Sequence, residues 1–183
     1  MAFTSCCRFS IKVATKFQNT KYFGLLLLSL LFFSCNATKE TVSSEKLKIE
    51  NTLDAWHKAA AAAEFDTYFS YMSEDAVFIG TDANENWQNK AFRSFAKPYF
   101  DKGKAWNFKT LERNVYVNKA QNLAWFDELL DTQMKICRGS GVLIKANNEW
   151  KIQHYVLSMT IPNEKTDEVV KIKTPIEDKI IDV

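Results

Sequence analysis

The chain has 183 residues, 46% hydrophobic and 25% charged, which is enough for one domain with a sizeable core and too little for two. Its formal charge of +2 is unevenly placed, because Arg8, Lys12, Lys16 and Lys21 lie in the first 35 residues, where no acidic residue occurs, leaving 20 basic against 22 acidic residues beyond them. That remainder carries −2 and no basic stripe to neutralise phosphates, so a nucleic-acid partner loses its main support and none is expected.

The four cations precede an apolar run, FGLLLLSLLFFS from Phe23 to Ser34. About a dozen apolar residues after a positive region suit a secretory signal, whereas a spanning helix needs roughly 20. The run ends at Ser34-Cys35, which resembles a bacterial lipobox with Phe32 where that pattern usually has Leu. The resemblance implies lipidation at Cys35 and a place in the bacterial envelope. Ala37, in place of the Asp that retains such proteins at the inner membrane, implies an outer-membrane anchor on its periplasmic or surface side. An ordinary cleaved signal or a short uncleaved anchor is the alternative. Residues 1–35 therefore read as a signal peptide and residues 36–44, which are polar, as a tether. Cys6 and Cys7 leave with the signal, so Cys137 has no intrachain partner and reads as a small apolar strand residue.

The folded part begins with Ser43 or Ser44 as a helix cap and Glu45 in the first turn. Ile49, Leu53, Trp56, Ala60 and Ala63 follow at helical spacing, and the alanine run from Ala59 to Ala63 favours helix. His57 stands at the edge of this apolar face, either as a boundary residue or as a group with a role. Phe65, Tyr68, Phe69 and Met72 predict a second, short helix over 65–72. A brief strand, Ala76 to Ile79, runs into Gly80-Thr81-Asp82, where Asp82 either aims a carboxylate into a cavity or forms an Asx turn. Asn89 can cap a third helix with the stripe Phe92, Phe95, Ala96 and Tyr99, which Pro98 should kink or shorten and Gly103 close.

Four strands follow at hairpin distances: Leu111 to Val117, Leu123 to Leu130, Ile136 to Lys145 and Trp150 to Ile161, with Asn147-Asn148 as the last turn. The first alternates Leu111, Arg113, Val115 and Val117 against Glu112, Asn114 and Tyr116. Three helices before a meander predict an α+β domain over 45–163, and residues 164–183 read as a charged appendage or disordered tail. No Walker loop, dinucleotide-binding glycine pattern, CxxC or metal-spaced histidine pair occurs, so no cofactor and no metal are expected. With only His57 and His154 present, a histidine-rich metal site is excluded, and a mixed histidine-carboxylate site stays open without a signal for it.

The strings DAWHKAAAAAEFDTYFSYM, FIGTDANENW, AWFDELL, CRGSGVLIK and EWKIQHYVLSMTIPN resemble SnoaL-like domain proteins of the nuclear-transport-factor-two-like, or ketosteroid isomerase-like, superfamily over Lys46 to Asn163. Asn86 departs from the pattern, where Arg is expected. The resemblance implies a cone of three helices against a strongly curved antiparallel meander, a ligand pocket in its open end, and dimers. It places candidate acid-base groups at His57, Asp82 and Asp127 or Glu128. Trp87, Trp125, Asp127, Arg138, Ser140 and His154 become candidate ligand-binding residues. The 131–135 turn decides between the carboxylates: an even-sum pairing sets Glu128 opposite Ser140 on Arg138's face, with Phe126 opposite Val142, and a one-residue slip substitutes Asp127. The even register is favoured. His154, sharing a face with Trp150 and Ile152, is expected to look into the core.

Two functional classes remain open. An isomerase, cyclase or hydrolase would move a proton with a carboxylate or histidine while Arg138 steadies an oxyanion, and a Glu128–Arg138 pair that only braces the sheet is the competing reading. A non-catalytic module would bind an unknown small molecule or dimerise through its sheet on the membrane surface.

Overall fold

The computed structural model of the chain describes residues 42–181. The signal segment, Cys35 and the tether up to residue 41 lie outside the described residues. Helix α1 occupies residues 42–61, so residues 42–44 are helical instead of tether, and Ser43 and Ser44 lie within the helix instead of capping it. Its buried residues, Glu45, Ile49, Leu53, Trp56, His57, Ala59 and Ala60, form one stripe. At its end Ala63 takes a left-handed conformation (φ 55°) and Glu64 N–H donates to Ala59 O at 2.9 Å, a closure usually left to glycine.

Helix α2, Phe65–Ser70, stops two residues short of the expected end because Met72 already begins strand β1, Met72–Ile79. Strand β2, Asn86–Gln88, turns back onto β1 and was not anticipated in the sequence. Helix α3, Asn89–Asp101, continues through Pro98. Asn89 is its first residue and not its cap, since the amide donates to Ser73 O of β1. Gly103 follows it at φ 66°, and its N–H donates to Phe100 O.

Strands β3 (Lys109–Val117), β4 (Leu123–Thr132), β5 (Lys135–Ala146) and β6 (Glu149–Met159) form the expected meander. The sheet is larger than that meander: its order is β2-β1-β6-β5-β4-β3, and β1 runs parallel to β6. The result is the α+β cone, a six-stranded mixed sheet curved against the helices. Its Asn147-Asn148 turn has both residues at positive φ (50° and 67°), which only Asn, Asp and Gly tolerate readily.

Two irregularities set what the sheet presents inward. A register shift between Thr110 and Glu112 leaves Leu111 exposed while Arg113 and Val115 turn inward. A second falls in β6, where Ile152 pairs with Leu143 but His154 pairs with Val142, so the intervening Gln153 is an extra residue. Beyond it the alternation flips, and Tyr155 and Leu157 join Trp150 and Ile152 in the core.

The C-terminal segment is not disordered. After a 3₁₀ turn, Asn163–Lys165, it forms helix α4, Thr166–Ile181, with no buried residue. Asp167 and Glu168 at its start, Lys179 in its last turn and the Lys173–Glu177 pair suit a helix in water. Among the described residues no helix is long and apolar enough to cross a membrane.

Candidate functional site

The turn between β4 and β5 is two residues, Gln133-Met134, closed by Thr132 pairing with Lys135. An even loop forces an odd-sum register: Asp127 lies opposite Ser140, Glu128 opposite Gly139 and Phe126 opposite Gly141. The favoured even-sum register is therefore wrong by one residue. Glu128 nevertheless faces inward, with Phe126 and Leu130, and is 1% exposed. It is Arg138 and Ser140 that the slip moves to the outer face, beside Asp127. The two glycines explain why. A Cβ on Gly139 would collide with the Tyr155 hydroxyl and crowd Glu128, and one on Gly141 would collide with His154 O and the Phe126 ring. Only glycine lets two large groups cross the inner face here.

Glu128 is the centre of a buried polar cluster drawn from α1, β3, β4 and β6. Its Oε1 lies 2.8 Å from His57 Nε2 and accepts from the Tyr155 hydroxyl at 3.2 Å. Its Oε2 accepts from Arg113 Nε at 2.9 Å and lies 2.8 Å from Arg113 Nη2. Arg113, directly across from Glu128 in the β3–β4 ladder, also donates to Thr110 Oγ1 and, at 2.6 Å, to Asp54 Oδ1 at the surface. Burial is the largest influence on the Glu128 carboxyl and raises it, but the bond and charge of His57 together with Arg113 outweigh this and hold it below its ordinary value. Burial pushes the Tyr155 hydroxyl well above its ordinary value, and the Glu128 charge adds to this, so it remains a donor. Burial works against the Arg113 charge, yet Glu128 and Asp54 raise it overall. A carboxylate with both oxygens doubly occupied is what a dry interior requires of a charge. His57 Nδ1 makes no hydrogen bond among the described residues.

Adjoining this cluster is a pocket of about 190 Å³. Phe78, Phe108 and Leu157 form its floor, and each also bears on the cluster. Phe108 packs edge-on to His57 with ring centroids 6.0 Å apart, Phe78 stacks on Tyr155 at 5.6 Å, and Leu157 pairs with Gly139. The walls are Phe92, Phe95, Trp87, Trp106 and Met134, and the rim is Thr81, Glu85 and Gln133. Two near-parallel ring pairs, Trp87 on Phe95 and Phe92 on Trp106, line it. A wider, open depression of about 680 Å³ adjoins through Phe95, Trp106 and Gln133 and adds Tyr99 and Lys104.

The residues singled out in the sequence divide sharply. His57 and Glu128 meet in the cluster, and Trp87 lines the pocket. Asp82 does not reach the cavity: its Oδ1 accepts from the backbone and side chain of Asn84 in an exposed Asx turn, the alternative left open for it. Asp127, Arg138, Ser140 and Trp125 lie on the outer face, where Arg138 approaches Asp127 at 3.8 Å and Trp125 stacks on Tyr116. His154 is half-buried on that outer face, rotated there by the extra Gln153. Three further residues of the site, Arg113, Tyr155 and Glu85, carry weaker signals in the sequence. Arg113 was legible as a cation within the apolar parity of β3, and Tyr155 was hidden by the bulge. Glu85 was overshadowed by Asp82, although Gly80 serves it: the Glu85 carboxylate fills the space a Gly80 Cβ would take. Among the described residues no three His, Cys, Asp or Glu side chains converge as a metal site.

Comparison with known proteins agrees with this architecture. The family model described as the SnoaL-like domain matches residues 49–162. No curated protein matches the chain. Among solved structures, an NTF2-like protein of unknown function from Pseudomonas putida superposes with a TM-score of 0.56 at 14% identity, covering 68% of this chain and 92% of its own. An NTF2-like family protein from Streptomyces avermitilis, whose given name proposes a dehydratase, has a TM-score of 0.57 at 10% identity over 66% and 99%. The association domain of CaMKII from C. elegans has a TM-score of 0.54 at 18% identity over 64% and 97%. At these identities the likeness is one of fold. Because the matched segment takes in most of α1, the pocket and the whole meander, the chain belongs to the SnoaL-like domain family, on the NTF2-like fold.

Proposed function

We propose that this domain binds a small molecule with one ring or two fused rings in the pocket above Phe108. The observation that carries the reading is the lining: a cavity of about 190 Å³ with six aromatic side chains in its floor and walls and, among the described residues, three polar side chains at its rim. Concave apolar surface with a few polar groups is the ordinary form of a ligand site. Calorimetric titration of the full chain with 2-naphthol, indole and cyclohexanone tests it. Saturable binding that weakens in Trp87→Ala, a half-buried wall residue, is the expected result. No saturable heat with any of the three in the millimolar range would overturn it.

A second reading, acid-base chemistry of the isomerase or dehydratase kind, is favoured by the unbonded His57 Nδ1. Glu128 accepting from Nε2–H leaves the lone pair on Nδ1, and the same carboxylate stabilises the imidazolium once Nδ1 has taken a proton. Phe108 stands between His57 and the pocket, so the proton transfer requires that ring to swing aside. Asp82 and Asp127 have no part in this scheme. A substrate whose turnover survives His57→Gln unchanged would remove it.

The wider setting follows from sequence and surface. The run ending at Ser34-Cys35 supports export and lipid anchoring in the bacterial envelope, most simply at the outer membrane. The exposed outer face, with Leu111, Tyr116, Leu123, Trp125 and Ile136, supports a homodimer, as does the likeness to a kinase association domain.

A further inference from the structure

Among the described residues the pocket contains one charged side chain, and it is acidic. Glu85 lies at the rim, and no lysine or arginine among the described residues lines the cavity. Among the described residues Glu85 enters no ion pair: its Oε2 accepts the Asp82 backbone N–H at 3.2 Å, and no cation neutralises it. Its placement is built into the loop. The Gly80 N–H donates to Glu85 O at 2.9 Å, and the absent Gly80 side chain leaves the volume the carboxylate occupies. Beside it are the Trp87–Phe95 and Phe92–Trp106 pairs, whose π faces carry negative potential. Lys104 belongs to the outer depression and not to the pocket.

An anionic ligand entering this pocket would meet a carboxylate and electron-rich rings, with no donor charge to receive it. A positive one would meet both of the features that attract cations, a fixed anion and aromatic faces. Resting on the proposal that the pocket binds a small molecule, we propose further that its ligand is an organic cation, a small primary to quaternary amine with an apolar body. The charged nitrogen lies toward Glu85 and the walls formed by Trp87 and Trp106, and the body lies against Phe78 and Leu157.

The test compares three probes of similar shape and different charge on the full chain by calorimetry: benzyltrimethylammonium, its neutral isostere neopentylbenzene, and phenylacetate. The cation should bind about tenfold more tightly than the neutral isostere, and phenylacetate should bind most weakly. In Glu85→Gln, whose amide oxygen can still accept the Asp82 N–H and hold the loop, the preference for the cation over neopentylbenzene should fall several-fold. Equal binding of cation and neutral isostere, or stronger binding of phenylacetate, overturns the assignment of charge and leaves the pocket reading intact. Failure of all three to bind overturns both. Unchanged cation preference in Glu85→Gln also overturns the role given to that carboxylate.

Discussion

Glu128 and Asp127 are neighbours on β4 with the same functional group, and the sheet treats them in opposite ways. Glu128 is 1% exposed and holds both oxygens against His57, Tyr155 and Arg113, whereas Asp127 has a side chain 35% exposed and a loose approach to Arg138 at 3.8 Å. Water solvates the outer carboxylate and leaves its ion pair little to add. The inner one has lost its water, so every bond it makes replaces a bond that solvent would otherwise provide. Position across one sheet, and not residue type, decides what a charge is worth.

The sharpest way to break this comparison is Glu128→Ala, which leaves the Arg113 guanidinium buried without its main partner. It should lower unfolding free energy by about 3–5 kcal/mol in chemical denaturation. A loss below about 1 kcal/mol would mean that the cluster is wet or readily rearranged.

A second interior carboxylate sharpens it. Glu45 of α1 is bound by Lys145 and Trp150 of the β5–β6 hairpin and by Lys48 one turn on. The Lys145 bond, followed by that of Lys48, draws its carboxyl down from 4.5 to about 2. A carboxyl depressed in the folded state contributes stability that is complete above its unfolded value and is lost as pH falls through the folded one. Wild-type stability should therefore decline between pH 4.5 and about 2, and Glu45→Gln should flatten that part of the profile while lowering stability at pH 7 by roughly 1–3 kcal/mol. Parallel pH profiles of the two proteins would remove the pairing from the account. The smallest effect belongs outside: Asp127→Asn and Arg138→Ala should each change stability by no more than about 0.5 kcal/mol.

The cone itself was legible because its signals are local. The stripe Ile49, Leu53, Trp56, Ala60, the strand runs and the Asn147-Asn148 turn each need only a few neighbouring residues to be read. Glu128 could be favoured because it alternates with Phe126 and Leu130, a pattern of period two that survives an error in cross-strand register. Its partners could not be recovered the same way. A turn of odd length would put Arg138 on the face of Glu128, and the two-residue turn puts it on the opposite one. His154 was placed by a parity that one extra residue, Gln153, inverts in favour of Tyr155.

That Glu85, and not Asp82, reaches the pocket has the same origin. Both follow Gly80, and nothing local says which carboxylate the glycine accommodates. The chain folds back through β2, so that Glu85 covers Gly80 and Asp82 turns toward Asn84 and solvent. Sequence alone determined the family, the succession of three helices and a four-stranded meander, and a set of candidates that includes His57 and Glu128, the pair that meets at the heart of the cone. Tertiary structure decided what they meet with, that Phe108 separates them from the pocket, and which face each remaining charge takes. Periodicity is carried by residues a few positions apart, while register, bulges and loop closure depend on strands and turns that only come together when the sheet forms.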